Sequence, residues 1–98
     1  MNPHVLFVDD ESSFLDGLRR MLHPYQQEWT MTFVTSVAAA LQELSTEPID
    51  TVVADLQMPH QGGFDLLQKI MTSRTLYHVP VIIMTGAAER DLKRRALD

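Results

Sequence analysis

The first apolar run is Val5-Leu6-Phe7-Val8, uninterrupted by any polar residue and followed at once by Asp9-Asp10-Glu11. A short continuous run of this kind reads as a strand covered on both faces. Apolar side chains then recur at Phe14, Leu15, Leu18, Met21 and Leu22. That helical spacing predicts a helix with Asp10 as its N-cap and His23-Pro24 as its stop. Met31 to Thr35, rich in β-branched and aromatic residues, predicts a second strand, and Ser36 is placed to cap an Ala-rich helix over Val37 to Leu44 that ends before Pro48. Thr51 to Ala54 predicts the third strand. A long loop, Leu56 to Gly63, leads to a helix with Phe64, Leu67, Ile70 and Met71 on one side. Pro80 introduces a fourth strand, Val81 to Met84, and Gly86-Ala87-Ala88 leads into a charged helix, Glu89 to Leu97.

Strands alternating with helices imply right-handed crossovers and an α/β fold, an open, doubly wound parallel sheet. In such a sheet ligands bind at the carboxyl ends of the strands. No repeat, low-complexity segment or linker interrupts the pattern. The segment Tyr25 to Thr30 is the expected variable loop, and Trp29 within it reads as a packing anchor beside a strand.

Composition narrows the picture. The 98 residues suffice for one domain, and 45% hydrophobic with 21% charged residues is the balance of a globular chain. The absence of cysteine excludes disulfides and thiolate metal sites. A formal net charge of −5 argues against general nucleic-acid binding, which needs a basic surface. No stretch approaches the ~20 apolar residues of a membrane span, and the N-terminus lacks the form of a signal peptide, so a cytoplasmic location is expected.

The candidate chemistry lies at the strand ends. Asp9 and Asp10 end the first strand and Asp55 ends the third. Taken singly, acids at a helix start are explained by the helix dipole, and an aspartate after a strand by turn formation. Together on one sheet edge they form a carboxylate cluster that requires a cation, and Mg2+ with oxygen ligands would make it a site for a phosphoryl group. Thr85, after the fourth strand and before Gly86, adds a hydroxyl on the same rim.

Val8-Asp9-Asp10-Glu11, Asp55-Leu56-Gln57-Met58-Pro59, Gly63-Phe64 and Val81-Ile82-Ile83-Met84-Thr85-Gly86-Ala87 occur in this order from residue 4 to the chain end. Together they resemble the receiver domain of bacterial two-component response regulators. The resemblance implies a receiver or flavodoxin-like sheet of order 2-1-3-4, with the family's fifth strand and helix absent, so that residues 1–98 would be a C-terminally incomplete receiver domain. It implies that Asp55 accepts a phosphoryl group from a sensor histidine kinase or phosphotransfer protein. Asp10 would ligate Mg2+ directly, Asp9 through water, and Asp55 and the backbone carbonyl of Gln57 would complete the set. Thr85 would act as the switch hydroxyl. The chain would be a regulatory domain whose own chemistry is self-phosphorylation and self-dephosphorylation.

Several positions depart from the family pattern. Gly62 stands where an acid is frequent, and Gln57 and Ala87 occupy positions that tune phosphoryl lifetime. The family's Lys-Pro pair is missing, and Lys69 and Lys93, each inside a helix, are not expected to replace that lysine. Its charge-assisted bond would be worth roughly 1.5 to 3 kcal/mol, so the chain alone is expected to be a poor phosphoacceptor. Arg90, Lys93, Arg94 and Arg95 read as a solvated helical face. Without a fifth strand, Val81 to Met84 becomes an apolar sheet edge and the last helix loses packing partners, which implies a homodimer or domain-swapped pair. The alternative function is a degenerate receiver-like module that pairs but no longer takes phosphate. A dehalogenase-like phosphatase fits less well, because its Asp-x-Asp follows the first strand, whereas here the two acids are adjacent.

Overall fold

The computed structural model describes residues 2–55, 58 and 62–97. They form a parallel sheet of order β2-β1-β3-β4, with β1 His4–Val8, β2 Thr30–Val34, β3 Thr51–Asp55 and β4 Val81–Met84. Four α-helices, α1 Ser12–Leu22, α2 Val37–Thr46, α3 Gly63–Met71 and α4 Gly86–Leu97, connect and cover the strands. The doubly wound fold and the order 2-1-3-4 therefore stand as expected.

Alternation along each strand divides the apolar residues between two faces. Leu6, Val8, Val52 and Ala54 join Val37, Ala40 and Leu44 of α2 and Leu66 and Ile70 of α3 in one core layer. On the opposite face Phe7 packs with Phe14, Leu15 and Leu18 of α1 and Ala96 of α4, with Val5, Phe33, Val53, Met84 and Leu92 at its margin. No helix among the described residues is long and apolar enough to cross a membrane.

Ser36 caps α2 as its position suggests, its Oγ accepting from the Ala39 N–H at 3.1 Å. Three local expectations are corrected. The N-cap of α1 is Glu11 and not Asp10, and no side chain bonds the helix start there; the Asp9 carboxylate accepts from the Glu11 N–H at 2.9 Å. The buried side of α3 is formed by Gly63, Leu66 and Ile70, whereas Phe64 and Met71 are exposed. Gly63 sets that rotation, since a Cβ on it would lie 2.6 Å from the Asp55 carbonyl oxygen and 2.9 Å from Ile83 Cδ1. The first turn of α3 is held by Asp65, whose carboxylate accepts from the Gly62 N–H at 3.0 Å. Gly63→Ala is accordingly expected to destabilise the chain by about 1 to 3 kcal/mol through overpacking, read as a lower urea midpoint with an unchanged m-value.

The third correction concerns α4. It begins at Gly86, whose φ of +68° is a conformation L side chains rarely adopt, and it does not lack packing partners. It lies against α1, with Ala96 buried and Leu92 on the same apolar layer. The approach is close: a Cβ on Gly17 would meet the Ala96 carbonyl oxygen at 2.0 Å. Arg20 Nη2 also donates to that carbonyl at 3.4 Å. The edge strand β4 is left with Ile82 exposed. Trp29 stacks on Tyr25 at 5.6 Å between ring centroids and stays partly exposed.

Candidate functional site

Strand register alone brings the acids together. Val8 pairs with Ala54, so Asp9 and Asp55, each one residue further on, lie side by side at the carboxyl edge of the sheet. Asp55 in turn pairs with Met84, which places Thr85 at the next strand's end, exposed. Asp9 and Asp55 are the buried charged residues among those described, at 0% and 1% exposure, while Asp10 is exposed. One carboxylate oxygen from each of Asp9, Asp10 and Asp55 lies within 4.8 Å of the other two. Leu56, Gln57 and Pro59 lie outside the described residues, so the expected Gln57 carbonyl ligand and part of the loop beyond Asp55 do too. Met58 packs against the α2 and α3 core layer.

The sequence pattern did not place a cation here, yet α4 supplies one. Lys93 Nζ lies 3.0 Å from Glu11 Oε1, 3.2 Å from Asp55 Oδ2, 3.2 Å from Glu89 Oε1 and 3.4 Å from Asp9 Oδ2. The expectation that Lys93 belongs to a solvated face, away from the strand ends, is corrected: its side chain is 17% exposed. Arg94 and Arg95 do remain on the solvent side. Docking of α4 over Gly17 is what points Lys93 inward. Its ammonium also sits 5.4 Å above the Phe14 ring, so the apolar layer carries it from below. Lys69 is exposed on α3. The one local signal for this arrangement is the pair Glu89 and Lys93, four apart on one helix face.

Charge balance shapes the titration of these groups. Burial pushes Asp9 up from 3.8 to about 6; the Glu11 N–H opposes this, the Asp55 charge adds to it, and Lys93 moderates it. Hydrogen bonding to Asp55, reinforced by burial, holds Glu89 above its ordinary range. Burial alone would lower Lys93, but Glu11, Asp9, Glu89 and Asp55 outweigh it and hold the ammonium above its ordinary range.

An elevated acid in the folded state has a definite consequence for stability. Between pH 3.8 and about 6 the folded chain keeps a proton on Asp9 that the unfolded chain has released. Stability therefore falls as pH rises through this window, by about 3 kcal/mol at ~1.4 kcal/mol per pH unit. Asp9→Asn keeps an acceptor for the Glu11 N–H without the charge. In chelator the variant should be more stable than wild type by up to that amount at pH 7 and about equal at pH 3.5, by urea denaturation. A stability difference that does not change with pH would contradict this.

The donor set suits a hard divalent cation. Asp9 Oδ2 is buried and has no hydrogen-bond partner among the described residues. Four carboxylates, Asp9, Glu11, Asp55 and Glu89, surround one ammonium, and Asp10 adds a further carboxylate in the group it forms with Asp9 and Asp55. Oxygen-only ligands of this kind fit Mg2+, which is held by one or two carboxylates and keeps waters for other ligands.

Comparison with known proteins agrees with the fold. The sequence model of the Response regulator receiver domain family matches residues 5–98. The two-component response regulator ORR5 of Oryza sativa subsp. japonica is 36% identical over 88 residues, covering 86% of this chain. This chain spans only 62% of that relative's length. The two-component response regulator ORR3 of Oryza sativa subsp. indica is 33% identical over 97 residues, with 98% of this chain and 72% of the relative covered. Among solved structures, the signal receiver domain of an HD domain-containing protein from Pseudomonas fluorescens Pf-5 superposes with a TM-score of 0.77 at 26% identity, covering 100% of this chain and 75% of that one. A sensor protein from Polaromonas sp. JS666 shares the fold with a TM-score of 0.78 at 21% identity, over 93% of this chain and 71% of that one.

Proposed function

This chain belongs to the response regulator receiver domain family, and we propose on that footing that it is a phosphorylation-controlled signalling module in which Asp55 is the phosphoacceptor. The observation that carries the assignment is the position of Asp55. It is the last residue of a central strand, 1% exposed, with its carboxylate converging with those of Asp9 and Asp10. The donor is a phosphohistidine on a sensor histidine kinase or phosphotransfer protein. An Asp55 carboxylate oxygen attacks phosphorus, the bond from phosphorus to the histidine nitrogen breaks, and the imidazole leaves with its electron pair.

Phosphoryl transfer is catalysed by positioning and charge neutralisation. Strand β3 fixes Asp55 and the turn after β1 fixes Asp9 through the Glu11 N–H; Asp9, Asp10 and Asp55, whose carboxylates converge, would hold Mg2+, with the Gln57 carbonyl as the further protein ligand this reading assigns. The ion, when bound, offsets the charge of the incoming phosphoryl oxygens. Thr85 offers its hydroxyl to a phosphoryl oxygen from the end of β4. A cytoplasmic location, where a phosphohistidine donor would be met, is part of this reading. Acetyl phosphate should label the chain in Mg2+ with a hydroxylamine-sensitive phosphoryl group and label it little in chelator. Equal labelling in both would contradict the Mg2+ site.

The exposed Ile82 on edge strand β4 supports self-association, because an apolar unblocked edge is a template for a second copy. Light scattering across a concentration series should give a mass that rises above the 11.2 kDa of one chain. A constant monomer mass would remove that part of the reading.

A further inference from the structure

We propose that Lys93 is a tethered cation that competes with Mg2+ for Asp9 and Asp55, so that docking of α4 on α1 and metal binding oppose one another. The inference rests on the reading of Asp9, Asp10 and Asp55 as the Mg2+ site. Lys93 Nζ lies 3.4 Å from Asp9 Oδ2 and 3.2 Å from Asp55 Oδ2, the carboxylates that the ion needs. Asp9 Oδ2 is buried and without a hydrogen bond, so this ammonium is the compensating charge it has among the described residues. An ammonium and a divalent ion at the same oxygens repel each other at short range, where screening by solvent is weak.

Lys93 has an alternative position outside the Asp9, Asp10 and Asp55 group. It also contacts Glu11 and Glu89, which lie towards solvent from the buried pair. Entry of Mg2+ therefore displaces the ammonium outward and loosens the helix that carries it. The anchor of that helix is separate from the acids. It is the Gly17 contact, where the Ala96 backbone sits so close that a Cβ would lie 2.0 Å from its carbonyl oxygen. At its other end α4 starts from Gly86 in a left-handed conformation with nothing within 4 Å of a would-be Cβ, room in which the helix can pivot.

This separation allows a test in which the charge of the pocket stays constant. Gly17→Ala favours the α1 helix itself but forces α4 away, and so removes Lys93 from the acids without altering any ionisable group. Lys93→Met removes the charge and keeps an unbranched apolar stem over Phe14. Mg2+ affinity is measured by calorimetry on the wild type and both variants, with amide hydrogen exchange over residues 90–97 followed as Mg2+ is added. Both variants should bind Mg2+ roughly tenfold more tightly than wild type, and Mg2+ should speed exchange of the 90–97 amides in wild type but not in Lys93→Met. Tighter binding in Lys93→Met alone would show that the charge acts without helix docking and would overturn the proposal. Equal affinity in all three proteins, or unchanged exchange in wild type, would overturn it while leaving the metal site intact. Absence of saturable Mg2+ binding in every protein would overturn the metal-site reading as well.

Discussion

Asp55→Asn is expected to abolish phosphoryl uptake from acetyl phosphate. Asparagine keeps the size and one acceptor oxygen, so the strand end and its pairing with Met84 persist. The amide is not a nucleophile at phosphorus. Asp9 offers no replacement, because one of its oxygens is taken by the Glu11 N–H and its carboxyl is held near 6 by burial. Asp10 is exposed and follows the strand end by one residue more, off the central position. Labelling should fall by at least about a hundredfold, a loss on the order of 3 kcal/mol in the transition state. Residual labelling within tenfold of wild type would mean that the nucleophile lies elsewhere.

Much of this site could be read from the sequence, because each strand end is marked locally, by an apolar run that stops at an acid. Four apolar runs with acids at the ends of two of them, in a parallel sheet, bring Asp9 and Asp55 to one edge whatever the loops do. The inward turn of Lys93 could not be read that way. It depends on Ala96 meeting Gly17, a tertiary contact between the last helix and the first, and neither residue carries a periodic signal for it. The face of α3 is hidden from the sequence pattern for a similar reason. Phe64 and Met71 are strongly apolar, but the close approach of Gly63 to the Asp55 backbone rotates them outward and Leu66 inward. Asp10 reads as a helix cap by residue type, yet the helix starts one residue later, at Ser12 with Glu11 as its N-cap.

The second large effect expected is on stability. Phe14 is 0% exposed, lies in the layer shared by β1, α1 and α4, and supports the Lys93 ammonium from 5.4 Å. Phe14→Ala should cost about 3 to 5 kcal/mol, against a total of roughly 5 to 15 kcal/mol for a domain. In a chain of this length that lowers the melting temperature by at least about 12 °C. The loss should fall most heavily on α4, whose amides should exchange before those of β1 and β3. A calorimetric melt that shifts by only a few degrees would show that the α1 and α4 layer contributes little.

The central claim is that Asp55 itself becomes an acyl phosphate. Borohydride reduces such an acyl phosphate to the alcohol, converting an aspartyl phosphate into homoserine at the modified position. The wild-type chain, labelled with acetyl phosphate in Mg2+, reduced and mapped by peptide mass spectrometry, should carry homoserine at position 55 and nowhere else. Homoserine at position 9 or 10, or labelled chain with none at 55, would contradict the account.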